Sequence, residues 1–289
     1  MSDAPQPVRL GPRAVGDGEL TRTQRLIWAS QRLHPDVALA NMGKRSRIRG
    51  PLDPDRLANA FDAVVRSSDV LRMVIDTPGS DRARILDRPP RTTRVVDLAV
   101  ADLDTWSRTR IARPIDATEC VYDSVLLRHG DDDWTWWLDL HHVATDAAGS
   151  ALVYAATSAA YEQLTTTGEV DLSGIVDGDF FDVARAVELE PGGRDTPADR
   201  AAGWAADAAT AGMQPPIELY GTRGARTTEV HRLGVPVDDE TRQCLDEAIA
   251  GPYRSISREL ALLTLGVMAA SITVHRLDGR RSVVVGVPV

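Results

Sequence analysis

Two apolar segments followed by a helical pattern constrain the fold of this chain most. Residues 120–127 and 134–140 are rich in Val, Leu and Trp, and the turn-forming run Gly130-Asp-Asp-Asp133 lies between them. This arrangement predicts two strands joined as a hairpin. Residues 151–164 then follow a helical pattern of apolar side chains. We therefore expect a pair of strands that leads directly into a helix.

The connection between the second strand and the helix carries a dense polar cluster. It contains His141 and His142, followed by Asp146 and Gly149. Imidazoles and carboxylates are costly to bury unless they have partners or a use. Connections of this kind are also where many enzymes carry reactive groups. The cluster is therefore the candidate functional site.

Strand alternation assigns the two histidines to opposite sides of the sheet. His142 would lie on the side of Trp136 and Leu138, at the end of an apolar stripe, whereas His141 would lie on the side of Asp139. Asp139 would then accept a hydrogen bond from His141 or orient it. A neutral imidazole at the end of an apolar channel suits general-base work, because its unperturbed pKa is near 6.5.

Other site classes receive little support from the sequence. An adjacent histidine pair is more often structural than functional when nothing else accompanies it. Two neighbouring histidines on a strand point apart, and no further His or Cys has metal-ligand spacing, so no metal is expected. The chain has neither a Gly-x-Ser-x-Gly elbow nor a Gly-x-x-x-x-Gly-Lys phosphate loop.

Composition narrows the class of protein further. The 289 residues are 43% hydrophobic and 26% charged, as in a soluble enzyme, and the net charge of −9 argues against a nucleic-acid or membrane-surface binder. Cys120 and Cys244 do not suggest a disulfide scaffold. The N-terminus lacks a signal-peptide core. The apolar run 260–274 is too short to span a bilayer and predicts a buried helix. Cytoplasm is the expected compartment.

The N-terminal third predicts alternating helices and strands. Residues 1–18 are rich in Pro and Gly and are expected to form a loose leader. Thr21 and Gln24 have capping-box spacing at the start of a helix that His34-Pro35 ends. Asp53 and Pro54 open a second helix. Residues 70–75 and the region around residue 85 are predicted strands.

The C-terminal part predicts the start of a second α/β lobe. Residues 166–228 are irregular except for a polar helix at 199–211. From about residue 231 the pattern predicts a strand, helices at 238–250 and 257–275, and a strand at 282–287. The last strand is followed by no capping element, so we expect strand and helix faces without partners and a longer parent protein.

The polar cluster resembles a known motif. The run His141-His142-Val-Ala-Thr-Asp146-Ala-Ala-Gly149 is similar to the HHxxxDG motif of the condensation domains of nonribosomal peptide synthetases, which is shared with chloramphenicol-acetyltransferase-like acyltransferases. Further segments resemble other motifs of that family in the right order. They are residues 20–28 continuing to Pro35 and Asn41, Asp69-Val-Leu-Arg72 (the end of RHExLR), Phe180-Phe181-Asp182 (YxDYA) and residues 284–289 (the start of (I/V)GxPxxxR).

The resemblance covers the chain from about residue 18 to its end and implies an α/β (α+β) fold. Two chloramphenicol-acetyltransferase-like lobes would form a V with the active site on the tunnel between them. The implied organisation is a flexible leader (1–18), an N-terminal condensation lobe (19–175), an inter-lobe connection (176–228) and an incomplete C-terminal lobe (229–289). A tunnel between two lobes needs both, so we expect the chain to have little or no activity in isolation.

The resemblance also implies the chemistry and the partners. Peptidyl or acyl carrier proteins deliver two substrates as phosphopantetheine thioesters, and the acceptor amine attacks the donor thioester to give an amide. No tightly bound cofactor is implied. The other expected partners are the rest of the second lobe or downstream synthetase domains. Neither nucleic acid nor membrane is expected as a partner.

The family motifs assign roles to individual residues. His142, with His141 beside it, is the catalytic residue, as a general base or as the group that orients the amine. Asp146 is expected to pair with Arg72 and, with Gly149, to support the active-site loop. Simpler interpretations remain for the flanking motifs. Gln24 and Trp28 suit helix capping and packing, Arg72 suits an ordinary ion pair, and Phe180-Phe181 suit the core.

Two departures weaken the match and keep alternatives open. Ala147 replaces the motif glycine. Alanine would be strained at a positive φ but is tolerated in a right-handed turn. Ser67-Ser68 replace the start of RHExLR, with Arg66 out of register. The alternatives are a stand-alone O- or N-acyltransferase that uses a carrier or coenzyme A, and a non-catalytic domain that recruits carrier proteins. An epimerization domain is disfavoured, since its Ser-Trp continuation is missing.

Overall fold

The computed structural model describes residues 14–173, 180–189, 234–254 and 257–279, together with residues 283 and 285. The chain divides into two compact units, Met1–Glu190 and Pro191–Val289. The polar cluster belongs to the first unit. Each unit is therefore described by itself.

The described elements of the first unit are a mixture of strands and helices. In chain order they are β1 (Ala14–Glu19), α1 (Arg22–Leu33), β2 (Asn41–Arg49), α2 (Pro54–Ser67), α3 (Asp69–Arg72), β3 (Met73–Ile75), β4 (Arg82–Leu86), β5 (Arg94–Asp97), a 3₁₀ turn (Val100–Asp102), α4 (Leu103–Ile111), β6 (Tyr122–Gly130), β7 (Asp133–His141), α5 (Ala147–Thr166) and α6 (Phe180–Leu189).

A four-stranded mixed sheet with strand order β2-β7-β6-β5 carries the candidate site. The β6–β7 hairpin is antiparallel, β2 pairs antiparallel with β7 from Asn41↔His141 to Arg49↔Asp133, and β5 runs parallel to β6. The hairpin predicted from the sequence is confirmed. Because β2 pairs with the last residue of β7, it supports the strand up to the point where the polar cluster begins.

Helices α2 and α5 cover one face of this sheet. Aromatic side chains dominate the contact: the ring centroids of Phe61 and Trp136 are 5.6 Å apart, and those of Trp136 and Tyr154 are 4.9 Å apart. Trp134, Trp136, Leu138 and Leu140 all belong to this core cluster, as strand alternation predicts. Buried aromatic pairs of this kind stabilise the packing of α2 and α5 on the sheet.

Helix α4 covers the opposite face of the sheet. Trp137 is buried there against Trp106, with ring centroids 5.6 Å apart. A Cβ atom on Gly43 would lie 2.5 Å from Ile111 and 2.7 Å from the Trp137 ring, so the close packing of β2 under α4 requires glycine. The central strands β6 and β7 are therefore buried on both sides, which explains their long apolar runs.

A smaller sheet of strand order β1-β4-β3 lies in the same unit. A Cβ atom on Gly18 of β1 would lie 2.5 Å from the ring of Phe181, which is buried in the core. The Pro- and Gly-rich segment predicted as a loose leader up to residue 18 therefore already contains an ordered strand from Ala14.

The second unit contributes two described helices, α7 (Asp239–Ala250) and α8 (Arg258–Asp278). Arg258 and Asp246 form an ion pair of 2.7 Å between them. The helix predicted at 257–275 is present, but the expectation that its apolar run is buried and too short to span a bilayer is wrong. The helix has 21 residues, and only Ala261 of it is buried. With a mean hydropathy of 1.6, α8 is long and apolar enough to cross a membrane, a criterion that many helices of soluble proteins also meet.

Most local predictions are confirmed. The capping box of Thr21 and Gln24, the Asp53 N-cap with Pro54 at the start of α2, and helices α5, α7 and α8 are all present. The strand predicted at 70–75 is wrong in its first half, because residues 69–72 form a helical turn before β3. Strand β2 and helix α4 are missing from the prediction. The helix predicted at 199–211 and the strands near 231 and 282–287 lie outside the described residues.

Candidate functional site

The turn after β7 decides where the two histidines point. Strand pairing stops at His141, and the chain then turns, with Ala144 N–H donating to the His141 carbonyl at 2.9 Å. The His142 N–H donates to the carbonyl of Ala40 at 2.7 Å. The side chain of His142 is exposed. Because His142 follows the last paired residue of β7, strand pairing does not set its direction, and its place at the end of an apolar stripe stays a prediction.

His141 is fully buried, with no exposed surface. Its Nδ1 accepts a hydrogen bond of 3.0 Å from the Val143 N–H, which places the ring proton on Nε2 in the neutral form. The Trp28 ring packs edge-on at a centroid distance of 6.3 Å. Burial, and the nearby charge of His142, lower the His141 pKa to about 4. His141 is therefore a neutral residue that stabilises the turn.

Asp139 does not orient His141 as the sequence suggested. Its Oδ2 accepts a hydrogen bond of 2.8 Å from the Asn41 amide, which also donates to the backbone carbonyls of Ile111 and Arg113. Burial, followed by the negative charge of Asp123, raises the Asp139 pKa to about 7. The Asp139 carboxyl group thus connects β7 to Asn41 of β2, and the Asn41 amide connects β2 to the end of α4 and the segment after it.

Asp146 shapes the start of α5. Its carboxylate accepts a hydrogen bond of 2.8 Å from the Gly149 N–H and so caps the helix. A Cβ atom on Gly149 would lie 2.2 Å from Thr145 Oγ1, so an alanine at this position would require the Thr145 hydroxyl to move. Ala147 is the first residue of α5, so it has the right-handed conformation in which alanine is tolerated. The departure from the motif glycine therefore causes no backbone strain.

The ion pair that the resemblance implies between Arg72 and Asp146 is not formed. The Arg72 guanidinium donates to Asp69 at 2.7 Å and to the carbonyl of Leu86. Because Asp69 and Arg72 both lie on α3, the helical turn brings them together at i,i+3 spacing. Arg72 therefore ties α3 to β4, and Asp146 supports the turn as a helix cap.

A cleft of about 410 Å³ lies in front of the turn. Its walls come from the first two turns of α1, Val70 of α3, the 142–146 turn, the start of α5 and the start of α6. They include His142, Asp146 and Gly149 but not Arg72. Gln24 also lines the cleft; the sequence assigned it to helix capping, and that role accounts for only one end of its side chain. Across the residues that the structure describes, no group of three or more His, Cys, Asp and Glu side chains is placed to hold a metal.

Comparison with known proteins decides the family. The sequence profile of the condensation domain family matches residues 16–288. The chain is a member of that family. The curated proteins similar to this condensation domain chain include the nonribosomal peptide synthetase asqK of Emericella nidulans, which is 28% identical over 185 residues. An isonitrile lipopeptide synthase of Streptomyces coeruleorubidus is 28% identical over 173 residues.

The chain spans only a small part of these relatives. It covers 7% of the length of the first and 12% of the second, and the matches include 61% and 55% of this chain.

Solved condensation domains show the same fold. The first condensation domain of the calcium-dependent antibiotic synthetase, in complex with substrate analogue 2a, has a TM-score of 0.73 at 23% identity, over 93% of this chain and 63% of that one. The starter condensation domain of rhizomide synthetase has a TM-score of 0.55 at 25% identity, over 67% and 48%. The α/β chloramphenicol-acetyltransferase-like fold class expected from the motifs is thereby confirmed.

Proposed function

We propose that the chain contributes His142 to an acyl transfer that forms an amide between a carrier-bound thioester donor and an amine acceptor. The observation that carries this proposal is the exposure of His142 on the cleft, next to a histidine that is fully buried. A buried neutral histidine cannot reach a substrate, whereas an exposed one on a supported turn can. Membership of the condensation domain family supplies the reaction class.

The residues of the turn have different roles in the proposed reaction. The acceptor nitrogen attacks the thioester carbonyl carbon, a C–N bond forms, the C–S bond breaks, and the amine proton passes to the departing thiolate. His142 takes that proton or orients the amine for attack. Asp146 and Gly149 hold the turn that carries His142, and His141 supports it from behind. Arg72 has no place on the cleft.

The proposed substrates are held on the phosphopantetheine of carrier proteins, as in condensation domains generally. The partners would be those carriers together with further synthetase domains, since the similar curated proteins are much longer synthetases. Binding to nucleic acid is not part of the proposal, given the net charge of −9. We infer a cytoplasmic location, where carrier-dependent synthesis has its substrates.

The test uses the whole gene product, a carrier loaded with an acyl donor, and a carrier loaded with an aminoacyl acceptor. Mass spectrometry of the acceptor carrier should show the amide with the wild type and at least a hundredfold less with His142→Ala. Asp81→Asn, an exposed change outside the cleft, is the control and should leave the rate unchanged. Equal activity of wild type and His142→Ala would refute the role of His142. Carrier binding without any product would point to a recruiting domain.

A coenzyme A thioester is the second candidate donor. A variant of the rhizomide synthetase starter condensation domain has been solved in complex with C8-CoA, at a TM-score of 0.59 and 22% identity to this chain. Replacing the donor carrier by octanoyl-CoA tests this directly. Product from octanoyl-CoA at a rate equal to or above the carrier-bound donor would favour the second candidate. Replacing the acceptor amine by an alcohol separates amide formation from ester formation.

A further inference from the structure

Gln24 connects helix α1 to the turn that carries His142. The residue lies in the first turn of α1 and is only 7% exposed. Its Oε1 accepts a hydrogen bond of 2.9 Å from the Thr21 N–H, and its Nε2 donates at 2.9 Å to the carbonyl of Val143. Each end of one amide therefore has a partner of its own, and the second partner is 119 residues away in the sequence.

The Val143 carbonyl is a sensitive point of the turn. The hydrogen bonds that fix the backbone around His142 include His142 N–H to Ala40, Val143 N–H to His141 Nδ1, and Gln24 Nε2 to the Val143 carbonyl. The His142 side chain is exposed, so few packing contacts limit its direction. The orientation of its imidazole therefore depends on these backbone anchors, and Gln24 supplies the one that comes from α1.

Helix capping alone does not account for this side chain. A capping box needs only an acceptor at the position of Gln24, and glutamate serves as well as glutamine there. The bond to Val143 needs a donor at the same time, which a carboxylate lacks. A buried carbonyl that loses its donor is left without a partner, at a cost that a shift of the turn would relieve.

We propose that Gln24 is a positioning residue for the acyl-transfer reaction, which sets the direction of the His142 imidazole by holding the Val143 carbonyl on α1. The inference rests on the proposed function of His142. It adds a residue that does not touch the substrate and acts through the turn. Small displacements of a catalytic group lower the rate without preventing binding, because a near-attack geometry is lost.

Two variants separate the two ends of the Gln24 amide. Gln24→Glu keeps the acceptor for Thr21 and loses the donor for Val143, whereas Gln24→Met keeps the approximate volume and loses both. Asp53→Ala is the matched control, since it removes the side-chain cap of α2, away from the cleft. We expect kcat of the gene product to fall at least tenfold in both Gln24 variants with KM changed less than twofold. Asp53→Ala should keep kcat within twofold at a comparable loss of Tm.

A spectroscopic measurement makes the test independent of activity. The ring ¹H–¹³C signals of His142, assigned by their loss in His142→Ala, should shift in Gln24→Glu and Gln24→Met and stay in place in Asp53→Ala. Unchanged ring signals together with wild-type kcat in Gln24→Glu would overturn the inference, as would an equal loss of kcat in Asp53→Ala. If neither wild type nor His142→Ala forms product, the proposed function fails while the ring signals still decide the role of Gln24.

Discussion

The two sides of the turn after β7 differ in almost every physical property. Behind it, His141 and Asp139 are buried. Burial lowers the pKa of His141 and raises the pKa of Asp139, so that the neutral form of each is favoured. In front of it, His142 is exposed on a cleft that Asp146 and Gly149 help to shape. Two identical neighbouring residues thus have opposite environments, one buried and one exposed. The difference arises from a backbone turn that begins one residue before His142.

The largest expected effects separate the two histidines. His141→Ala should lower the free energy of unfolding by about 3 kcal/mol, because it leaves a cavity and removes the acceptor for the Val143 N–H. His142→Ala should change it by less than about 0.5 kcal/mol, as for other exposed residues, while abolishing acyl transfer. Urea unfolding followed by tryptophan fluorescence measures both, since five of the six tryptophans belong to the first unit. Equal losses of stability would remove the contrast between the histidines.

Gly149 tests how tightly the front of the turn is packed. Gly149→Ala should destabilise the first unit by about 1–3 kcal/mol, because the new Cβ would meet Thr145 Oγ1 at 2.2 Å. Thr145→Ala in the same chain should recover at least half of the loss. Gly79→Ala is the matched control, since no atom lies within 4 Å of the Cβ position there. A Gly149→Ala variant as stable as Gly79→Ala would show that the turn accommodates the methyl group.

The pH dependence of stability tests the buried side. Burial raises the Asp139 pKa to about 7. The contribution of Asp139 to folding stability is therefore present at low pH and lost as the pH rises toward 7. Burial lowers the His141 pKa to about 4, so its contribution is present above about 6.5 and lost as the pH falls toward 4. Between these limits the free energy of unfolding falls with pH because of Asp139 and rises with pH because of His141, and the two changes largely cancel.

Asp139→Asn should reveal the pH dependence of stability that His141 alone causes. Relative to wild type, the free energy of unfolding of the variant should rise with pH by about 1.3 kcal/mol per pH unit between roughly pH 4.5 and 6.5. Urea titrations at several pH values measure this difference, and the exposed Asp81→Asn is the control. A slope equal to that of the wild type would mean that Asp139 is ionised in the folded protein.

The smallest expected effect concerns Arg72. A double-mutant cycle between Arg72 and Asp69 should give a coupling of up to about 1 kcal/mol, as their ion pair is partly buried. The cycle between Arg72 and Asp146 should give none within error, because the structure gives them different partners. The reverse result would restore the pairing that the family motif implies.

Predictions that depended on local sequence were the most accurate. The capping box at Thr21 and the N-cap at Asp53 involve side chains within three residues of their partners, so their spacing is sufficient evidence. Strand β2 and helix α4 were missed because they are charged elements on the outside of the sheet. Arg45 and Arg47 of β2, for instance, form exposed ion pairs and leave no apolar alternation to detect.

The candidate site also combines features that local sequence predicts with features that it does not predict. The motif spacing identified His141, His142, Asp146 and Gly149 as one cluster, but not which histidine is accessible. Strand alternation does not determine the surroundings of His142, because strand pairing ends at His141. The bond from Gln24 to Val143 joins residues 119 positions apart, and no local pattern reports such a contact.

The sequence by itself determined the β6–β7 hairpin, the helix that follows it, the reactive cluster between them and the family to which that cluster points. These follow from side-chain periodicity and short-range hydrogen bonds, which are properties of a few consecutive residues. Tertiary structure alone decided that His141 is buried, that His142 is exposed, that Arg72 binds Asp69, and that Gln24 anchors the turn. These depend on burial and on contacts between distant segments, which exist only once the sheet and its covering helices are assembled.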